Sequence, residues 1–513
     1  MKKDTVVILD FGAQYNQLIA RRVRESSVYC VLLPYNVSVA RVKSLRPKAI
    51  ILTGGPASVH KKGAPKCAKE IFELGVPVLG ICYGMQLMGH ILRGKVGPTR
   101  RREYGHAELI IDKKDRLFSG CGKKENVWMS HGDQVLRLPD GFIRLAHTKN
   151  SRIASMYHPV KKFYGVQFHP EVVHTPKGMR IFKNFLYGVC GFKPEWTMKS
   201  FIHEAVKNIR TQVGRSRVVL GLSGGVDSSV AAVLLSKAIG KRLECIFVDN
   251  GLLRKLERQY VADTFKRHFH MNLHVIDAEK RFLSKLRGVT DPERKRKIIG
   301  KEFIKVFEEK AKKLGRVEFL GQGTIYPDVI ESVSAKGGPS STIKSHHNVG
   351  GLPKKMGLRL VEPLKDLFKD EVRKLGRELG IGAKLIDRQP FPGPGLAVRI
   401  IGDITKKRLD VLREADMIVQ EEMKKYGGYK NIWQSFAVLL PVKSVGVMGD
   451  ERTYENTCAI RAVTSLDAMT ADWAKIPYDI LGRISNRIIN EVNGINRVAY
   501  DISSKPPATI EWE

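Results

Sequence analysis

The chain has 513 residues, of which 43% are hydrophobic and 27% charged, so it has room for two to four domains with large apolar cores. Seven cysteines without a C-x-x-C pair indicate neither a zinc knuckle nor a disulfide framework, and no apolar run is long enough for a membrane span or a signal peptide, so we expect a cytoplasmic location. The net charge of +36 is spread along the chain without interleaved aromatic stacking motifs, so we do not expect nucleic acid as a partner, and the charge suits a basic proteome or anionic small substrates.

The first third alternates β-prone and helical runs, as a parallel α/β sheet requires. Strands are predicted at 5–10, 28–33, 49–52, 76–81 and 164–168, and helices at 16–24 and 85–92. The third strand ends in the turn Thr53-Gly54-Gly55-Pro56, at the sheet edge where ligands bind in such folds. Residues 130–133 are expected to form a loop that lines the same pocket.

The fourth strand runs into Gly80-Ile81-Cys82-Tyr83-Gly84, which has the spacing of a nucleophile elbow with cysteine in place of serine. The glycines allow a sharp turn that presents Cys82 above the sheet, and the amino end of the next helix favours its thiolate. A free cysteine is more often a buried structural residue, and we keep that interpretation for the other six.

A cysteine nucleophile needs a base and a group that orients the base. The fifth strand leads to His169-Pro170-Glu171, and residues i and i+2 of an extended segment point to the same side. We therefore predict that His169 takes the Cys82 proton and that Glu171 fixes the orientation and tautomer of the imidazole.

Three motifs of this region, Thr-Gly-Gly-Pro, Gly-Ile-Cys-Tyr-Gly-Met-Gln and Gln-Phe-His-Pro-Glu, resemble those of the class I glutamine amidotransferases over about the first 190 residues. The resemblance implies that Cys82 attacks the glutamine amide to form a glutamyl thioester, that ammonia leaves, and that water then releases glutamate. It also implies an oxyanion hole made by the backbone N–H groups of Gly55 and Tyr83.

The middle third contains a glycine-rich loop, Ser223-Gly224-Gly225-Val226-Asp227-Ser228-Ser229, between a predicted strand at 218–222 and a predicted helix at 229–239. A bare Gly-Gly turn could be only a tight connection, but such a loop also lets backbone N–H groups and a helix terminus approach a phosphate. The loop lacks the lysine of a Walker A motif, and Asp227 is better placed for a phosphate-bound Mg²⁺ than for the phosphate itself. The whole string resembles the pyrophosphate loop of the N-type ATP pyrophosphatases, which implies that residues 223–229 bind ATP and that a substrate oxygen is adenylated.

The rest of the middle third offers weaker signals. A strand at 243–248 ends in Asp249, which could serve the nucleotide or cap the turn, and both interpretations stay open. The basic helix at 291–315 is expected to expose most of its lysines and arginines. The long polar segment 336–357 is expected to be a lid over phosphates, and its pair His346-His347 is not expected to bind metal. A further helix is predicted at 364–379.

The last third combines helices predicted at 405–425 and 478–493 with strands at 436–440, 442–447 and 457–463. It ends in Lys-Pro-Pro-Ala-Thr-Ile-Glu-Trp-Glu, a segment that we expect to be held against the fold. The three parts in this order resemble the glutamine-hydrolysing GMP synthases. The resemblance implies XMP as the acceptor, Mg²⁺ with ATP as co-substrate, a homodimer formed through the C-terminal domain, and XMP contacts by five residues: Arg296, Gln434, Lys505, Ile510 and Glu511.

The predicted fold class is α/β, with two doubly wound α/β domains at 1–194 and 195–388 and a small α+β C-terminal dimerisation and XMP-binding domain at 389–513. Three alternatives remain at this stage. An NAD-synthetase-like amidotransferase would differ in its tail, and a tRNA-thiolating enzyme would need sulfur-carrying cysteines near the phosphate loop, where Cys245 is the nearest in sequence. A plain nucleic-acid-binding protein would retain tRNA at physiological salt.

Overall fold

The computed structural model describes residues 4–13, 15–334, 357–448, 451–465 and 470–513. These residues divide into two compact units, one made of the described residues up to 201 together with 330–334, and the other of 202–329 and the described residues from 357 onward. The predicted lid, including His346 and His347, lies outside the described residues except for Gly357. Within the described ranges, no helix has the length and apolar character that a membrane span requires.

The first unit is built on a nine-stranded sheet. Its strands are β1 Thr5–Asp10, β2 Tyr29–Pro34, β3 Pro47–Leu52, β4 Val78–Ile81, β5 Lys95–Ile111, β6 Lys124–Arg137, β7 Ile143–His147, β8 Ser155–His158 and β9 Phe163–Val166. They pair in the order β2-β1-β3-β4-β9-β8-β7-β5-β6, the first five parallel and the rest antiparallel. The helices are α1 Asn16–Glu25, α2 Val39–Ser44, α3 Tyr83–Ile91 and α4 Gly178–Lys183.

The register of the central strands sets the place of the first site. β4 lies between β3 and β9, with Leu52 opposite Gly80 and Ile81 opposite Val166. The three segments that follow these strands therefore leave the sheet at one carboxyl edge, which is the edge where parallel sheets bind ligands. The side chains of β1 and β3 from Val6 to Leu9 and from Ala49 to Leu52 are completely buried, as expected for strands covered on both faces.

The second unit contains a five-stranded, wholly parallel sheet and a four-stranded mixed sheet. The parallel strands are β10 Val218–Gly221, β11 Leu243–Asp249, β12 Asn272–Asp277, β13 Phe319–Gly321 and β14 Arg359–Val361, in the order β12-β11-β10-β13-β14. The mixed sheet consists of β15 Gln434–Met448, β16 Glu451–Thr464, β17 Asp472–Trp473 and β18 Ile495–Asp501, with β16 in the middle.

Ten helices are described in the rest of the chain. They are α5 Met198–Val213, α6 Val226–Ile239, α7 Glu257–Ala262, α8 Glu279–Leu286, α9 Pro292–Lys313, α10 Tyr326–Ser334, α11 Lys369–Glu378, α12 Ala383–Ile386, α13 Lys406–Lys425 and α14 Tyr478–Glu491. One buried apolar cluster joins the parallel sheet to α13, α14 and the mixed sheet, with Val219 and Ile246 at one end and Ile484 and Ile488 at the other. The two sheets of this unit therefore share a core.

The predicted fold class is confirmed: two α/β parts with parallel sheets are followed by an α+β part. Several local predictions were wrong. Residues 130–133 lie in strand β6 instead of a loop, the two strands predicted at 436–440 and 442–447 are one strand with an irregularity between Leu439 and Lys443, and the helix predicted from 364 begins at Lys369. The domain boundaries at 194/195 and 388/389 stay predictions.

Candidate active sites

Cys82 lies at a turn that a side chain seldom permits. Its backbone has φ +50° and ψ −106°, a strained conformation for any residue with a Cβ atom. The neighbouring glycines let the turn pack closely, since a Cβ at Gly84 would lie 2.4 Å from the carbonyl oxygen of Leu52 and one at Gly80 would lie 2.6 Å from that of Gly84. The cysteine immediately precedes α3, as the elbow motif predicts.

His169 and Glu171 form a buried pair beside this cysteine. The ring nitrogen Nδ1 of His169 lies 2.7 Å from Oε1 of Glu171, and the glutamate side chain is completely buried. Burial alone lowers the pKa of His169, but the hydrogen bonds and charges of Cys82 and Glu171 outweigh it and raise that pKa to about 11. The imidazole can therefore hold a proton taken from the sulfur, and the three side chains can form a thiolate–imidazolium pair.

Three further groups surround the sulfur. The side-chain nitrogen of Gln167 donates to Sγ at 3.6 Å, and the backbone carbonyl of Ser130 lies 3.7 Å from Sγ. A Cβ at Gly54 would lie 3.2 Å from the His169 ring and 3.8 Å from the Cβ of Cys82, so the turn after β3 lies against the pair. Sequence reasoning missed Gln167, although it lies two residues before His169 and the i, i+2 rule that paired His169 with Glu171 applies equally to it.

The second site is the loop between β10 and α6. The helix begins at Val226, three residues earlier than predicted, so Val226, Asp227 and Ser228 form its first turn and Gly225 caps it. The hydroxyl oxygens of Ser223 and Ser228 lie 2.9 Å apart, which folds the loop back over the helix terminus. Val226 and Ser229 are buried, and Gly224 has φ +76°, a conformation that favours glycine. The exposed part of this loop lies at a helix amino terminus, where backbone N–H groups suit a phosphate.

The two carboxylate oxygens of Asp227 have different surroundings. Oδ2 pairs with the ammonium group of Lys369 at 2.5 Å, while Oδ1 is buried and has no hydrogen-bond partner in the described part of the chain. A cluster of three or more histidine, cysteine, aspartate or glutamate side chains that could bind a metal is absent from the described residues. A cation held here would therefore take most of its ligands from a substrate and not from the protein.

Groups that sequence reasoning missed also support this loop. Arg388 donates to the carbonyl oxygen of Gly224 at 3.2 Å and pairs with Glu257. A Cβ at Gly323, in the second glycine-rich turn, would lie 3.2 Å from the backbone of Asp227, so the two turns pack together. Asp249 accepts from the backbone N–H of Gly251 at 3.0 Å, which favours the capping interpretation that the sequence left open.

Three of the residues predicted to bind XMP lie together. The side-chain nitrogen of Gln434 donates to Oε1 of Glu511 at 2.7 Å, and Ile510 packs in the apolar cluster of the mixed sheet. Arg399, which is completely buried, grips both oxygens of Glu511 at 3.0 and 3.1 Å. Its guanidinium also lies 4.0 Å from the ring centre of Phe436. The Glu511 carboxylate is thus fixed in place by a bidentate pair.

The other two predicted XMP residues are held at different points of the C-terminal segment. Arg296 donates to the backbone oxygen of Glu513, and Lys505 exchanges backbone hydrogen bonds with Ala471 at 2.7 and 3.1 Å. The neighbouring Lys295 departs from the exposure expected of most basic residues of this helix: its side chain is completely buried and pairs with the Glu513 carboxylate. Helical periodicity cannot detect a partner that lies 218 residues away.

Comparison with known proteins agrees with this division of the chain. The family model described as glutamine amidotransferase class-I matches residues 7–189, that of NAD synthase matches 197–295, and that of the GMP synthase C terminal domain matches 421–512. The chain is 60% identical over 510 residues to the glutamine-hydrolyzing GMP synthase of Brachyspira hyodysenteriae, with 99% of each chain covered. It is also 60% identical over 514 residues to the enzyme of that name from Acetivibrio thermocellus, with 100% of each chain covered.

We expect Glu171→Gln to weaken the thiolate at Cys82. The neutral amide stabilises the imidazolium of His169 less than the carboxylate does, so the pKa of His169 falls and the sulfur loses its cationic partner. The pH at which iodoacetamide labels Cys82 at half its maximal rate should rise by about one to two units. Burial disfavours labelling of the other thiols, because it raises the pKa of Cys121 and raises those of Cys67, Cys190, Cys245 and Cys458 to about 12. Cys30 is completely buried.

The matched control is Asp112→Asn. Asp112 lies 2.8 Å from a ring nitrogen of His147 in the same unit. This substitution therefore also replaces the carboxylate partner of a histidine with a neutral amide. The labelling midpoint of this variant should match wild type, and an unchanged midpoint in Glu171→Gln would contradict the role given to Glu171.

Proposed function

The chain belongs to the glutamine-hydrolysing GMP synthase family, and we propose that the parallel strands of its first two sheets carry the two halves of that reaction. It hydrolyses glutamine to glutamate and ammonia, adenylates XMP with ATP to release pyrophosphate, and aminates the adenylate to GMP and AMP. The observation that carries the assignment is the pairing in one chain of a buried Cys82–His169–Glu171 group with the loop of residues 223–229, each at the carboxyl end of a parallel strand.

Glutamine hydrolysis begins with attack of the Cys82 thiolate on the amide carbon of glutamine. The negative charge that forms on the carbonyl oxygen is stabilised by hydrogen bonds from the backbone N–H groups of Gly55 and Tyr83. His169 then gives its proton to the leaving nitrogen, so ammonia departs and a glutamyl thioester remains. In the second half, His169 takes a proton from water, the hydroxide attacks the thioester, and glutamate leaves as the thiol is restored. Glu171 stabilises the imidazolium throughout.

The adenylation step uses the loop and the first turn of α6. Within the loop of residues 223–229, the backbone N–H groups at the first turn of α6 and the hydroxyls of Ser223 and Ser228 bind the β- and γ-phosphates of ATP. The C2 oxygen of the xanthine base attacks the α-phosphorus, and pyrophosphate leaves into the loop. Ammonia then attacks C2 and displaces AMP, which gives GMP. The protein supplies position and charge neutralisation in these steps.

Mg²⁺ fits this site through Asp227. The carboxylate has one buried oxygen without a partner in the described structure, and Mg²⁺ is commonly bound by one or two carboxylates together with substrate phosphates. When bound, the ion neutralises charge on the leaving pyrophosphate. Lys369, which contacts Oδ2 of Asp227 at 2.5 Å, holds the carboxylate in position.

XMP binds through the C-terminal segment. Arg296 and Lys505 are cationic and suit its phosphate group. The carboxylate of Glu511 accepts three hydrogen bonds, two from Arg399 and one from Gln434. A carboxylate has about four lone-pair sites, so one remains for a donor on the base edge or the ribose. Ile510 supplies an apolar neighbour from the cluster of the mixed sheet.

The assembly proposed for the chain is a homodimer in the cytoplasm. Val445 and Tyr454 face each other across β15 and β16, and Val447 lies on the same face, with more than half of each side chain exposed. An apolar strip of this kind suits contact with a second copy of the chain. All seven cysteines are free thiols, which suits a reducing compartment.

Cys82→Ala should separate the two chemistries. Glutamine-dependent GMP formation from XMP and Mg-ATP should fall by about three orders of magnitude or more, because the nucleophile is gone. GMP formation with ammonium salt as the nitrogen donor should stay within about twofold of wild type. Cys190→Ala, which removes a thiol whose pKa burial raises to about 12, serves as the control and should affect neither reaction. Loss of the ammonium reaction in Cys82→Ala, or absence of GMP with either donor in wild type, would reject the assignment.

Asp227→Asn should raise the Mg²⁺ requirement of the ammonium-dependent reaction. The amide cannot neutralise a cation, so the Mg²⁺ concentration at half-maximal rate should rise about tenfold or more, while Cys82 labelling stays normal. Asp387→Asn is the matched control, because that aspartate pairs with Arg377 at an exposed site of the same unit. Equal half-saturating Mg²⁺ for wild type and Asp227→Asn would remove Asp227 from the metal site.

Glu511→Gln should weaken XMP binding. The substitution removes the carboxylate that forms the bidentate pair with Arg399. The amide can also present an N–H donor to the nucleotide where the carboxylate presented an acceptor. At saturating ATP and ammonium, the KM for XMP should rise about 10- to 100-fold, since a mismatched buried polar contact costs about 1–3 kcal/mol. Glu421→Gln, which breaks a surface pair with Arg487, should leave the KM unchanged. A normal KM in Glu511→Gln would place the XMP contact elsewhere.

A further inference from the structure

We propose that Gln167 is a further catalytic residue of the glutamine-hydrolysing site, where its side-chain N–H donates to Cys82 Sγ and stabilises the thiolate. This inference rests on the proposed function of Cys82 as the nucleophile. The donor nitrogen lies 3.6 Å from the sulfur, and the Gln167 side chain belongs to a completely buried residue. A hydrogen-bond donor that is fixed and shielded from water stabilises a charged sulfur more than a mobile water molecule would.

The orientation of the amide is fixed by a chain of hydrogen bonds. This series of hydrogen bonds begins at the backbone carbonyl of Asp133, which can only accept. The side chain of Gln86 lies 2.7 Å from that carbonyl oxygen. The atom that Gln86 presents there must therefore be its nitrogen, and this nitrogen also lies 3.4 Å from the Gln167 side chain. The facing atom of Gln167 must then be its oxygen. This leaves its nitrogen, and not its oxygen, directed at the sulfur of Cys82.

The backbone also holds both glutamines in place. The backbone N–H of Gln167 donates to the carbonyl of Ala154 at 2.8 Å, and that of Gln86 donates to the carbonyl of Cys82 at 3.1 Å. Gln86 is buried as well. Neither side chain can turn without leaving a buried polar atom unpaired, which costs about 1–3 kcal/mol. The donor is therefore in position before the thiolate forms.

The arrangement distinguishes the thiolate from the thiol. A neutral thiol can donate its proton to the carbonyl of Ser130, which lies 3.7 Å from the sulfur. A thiolate cannot donate and needs hydrogen-bond donors, which the imidazolium of His169 and the side-chain N–H of Gln167 supply. Because a neutral amide does not titrate, Gln167 favours the charged sulfur without competing with His169 for the proton.

Several ionisable groups around the sulfur must be separated from this effect. His169 and Glu171 face it after strand β9. On β5 and β6, Glu103 pairs with His131 at 3.1 Å, and the other ring nitrogen of His131 contacts the same Asp133 carbonyl that orients Gln86. Burial raises the pKa of Glu103, but its hydrogen bonds with His131 and Thr148 outweigh this and lower it. The side chain of Asp133 lies on β6 as well.

The test compares two substitutions of similar shape at position 167 in the full-length enzyme. Gln167→Met removes the N–H donor, and Gln167→Glu replaces it with a negative charge. The readout is the pH dependence of Cys82 labelling by iodoacetamide. We expect the labelling midpoint to rise by about one unit in Gln167→Met, as the loss of a hydrogen bond to a charged group predicts, and by more in Gln167→Glu. The kcat of glutamine hydrolysis at neutral pH should fall about tenfold in Gln167→Met.

Gln134→Met is the matched control, since Gln134 is another buried glutamine and lies on strand β6. The labelling midpoint of this variant should equal that of wild type. Ammonium-dependent GMP formation reports independently that each variant is folded. Midpoints in Gln167→Met and Gln167→Glu that equal the wild-type value would overturn the inference, and so would a shift in Gln134→Met as large as theirs. These outcomes are distinct from failure of the proposed function, which would appear as glutamine-dependent activity in Cys82→Ala.

Discussion

The first unit depends on one backbone constraint, the positive φ of Cys82. A residue with a Cβ atom adopts such a conformation at a cost of about 1–3 kcal/mol, so the surrounding structure must hold it there. The glycines at 80 and 84 allow the turn to pack closely enough to hold this conformation. A Cβ atom added at either glycine would lie only 2.4–2.6 Å from a backbone carbonyl oxygen. The central parallel strands then fix the elbow between the segments that carry Gly54 and His169. The reactive sulfur is therefore positioned by the sheet as a whole and not by the loop alone.

Paired buried charges organise both units. In the first, His169 lies against Glu171, and in the second Arg399 grips Glu511 while Lys295 holds Glu513. Such pairs do not add much net stability, because taking the ions out of water costs about as much as their attraction returns. Their effect is on geometry, since removing either partner leaves an uncompensated charge. Each pair thus fixes the position of a carboxylate or an imidazole.

Local rules predicted the parts of the sites that depend on neighbours in sequence. The elbow spacing gave Cys82, and the two-residue period of a strand gave His169 with Glu171, although the same rule was not extended to Gln167. Contacts between distant segments could not be predicted, as with Lys369 against Asp227 or Lys295 against Glu513. The antiparallel strands β5 and β6 were missed because they are rich in charged residues, and their strand structure depends on pairing with each other and, for β5, with β7. The early start of α6 was missed because propensity treats Ser-Gly-Gly-Val-Asp as a loop.

The two sites treat negative charge in different ways. In the proposed reaction the charge at Cys82 is generated inside the protein, and the groups proposed to stabilise it, His169 and the amide of Gln167, are already in place. At residues 223–229 the charge arrives with the substrate, and the only carboxylate of the loop is shared with Lys369. A polyphosphate that brings its own cation can use the free oxygen of Asp227 and contact Lys369 at the same time. Under this proposal the first site needs rigid burial, whereas the second needs an exchangeable ion pair at an accessible helix terminus, and each feature is present in the unit to which that chemistry is assigned.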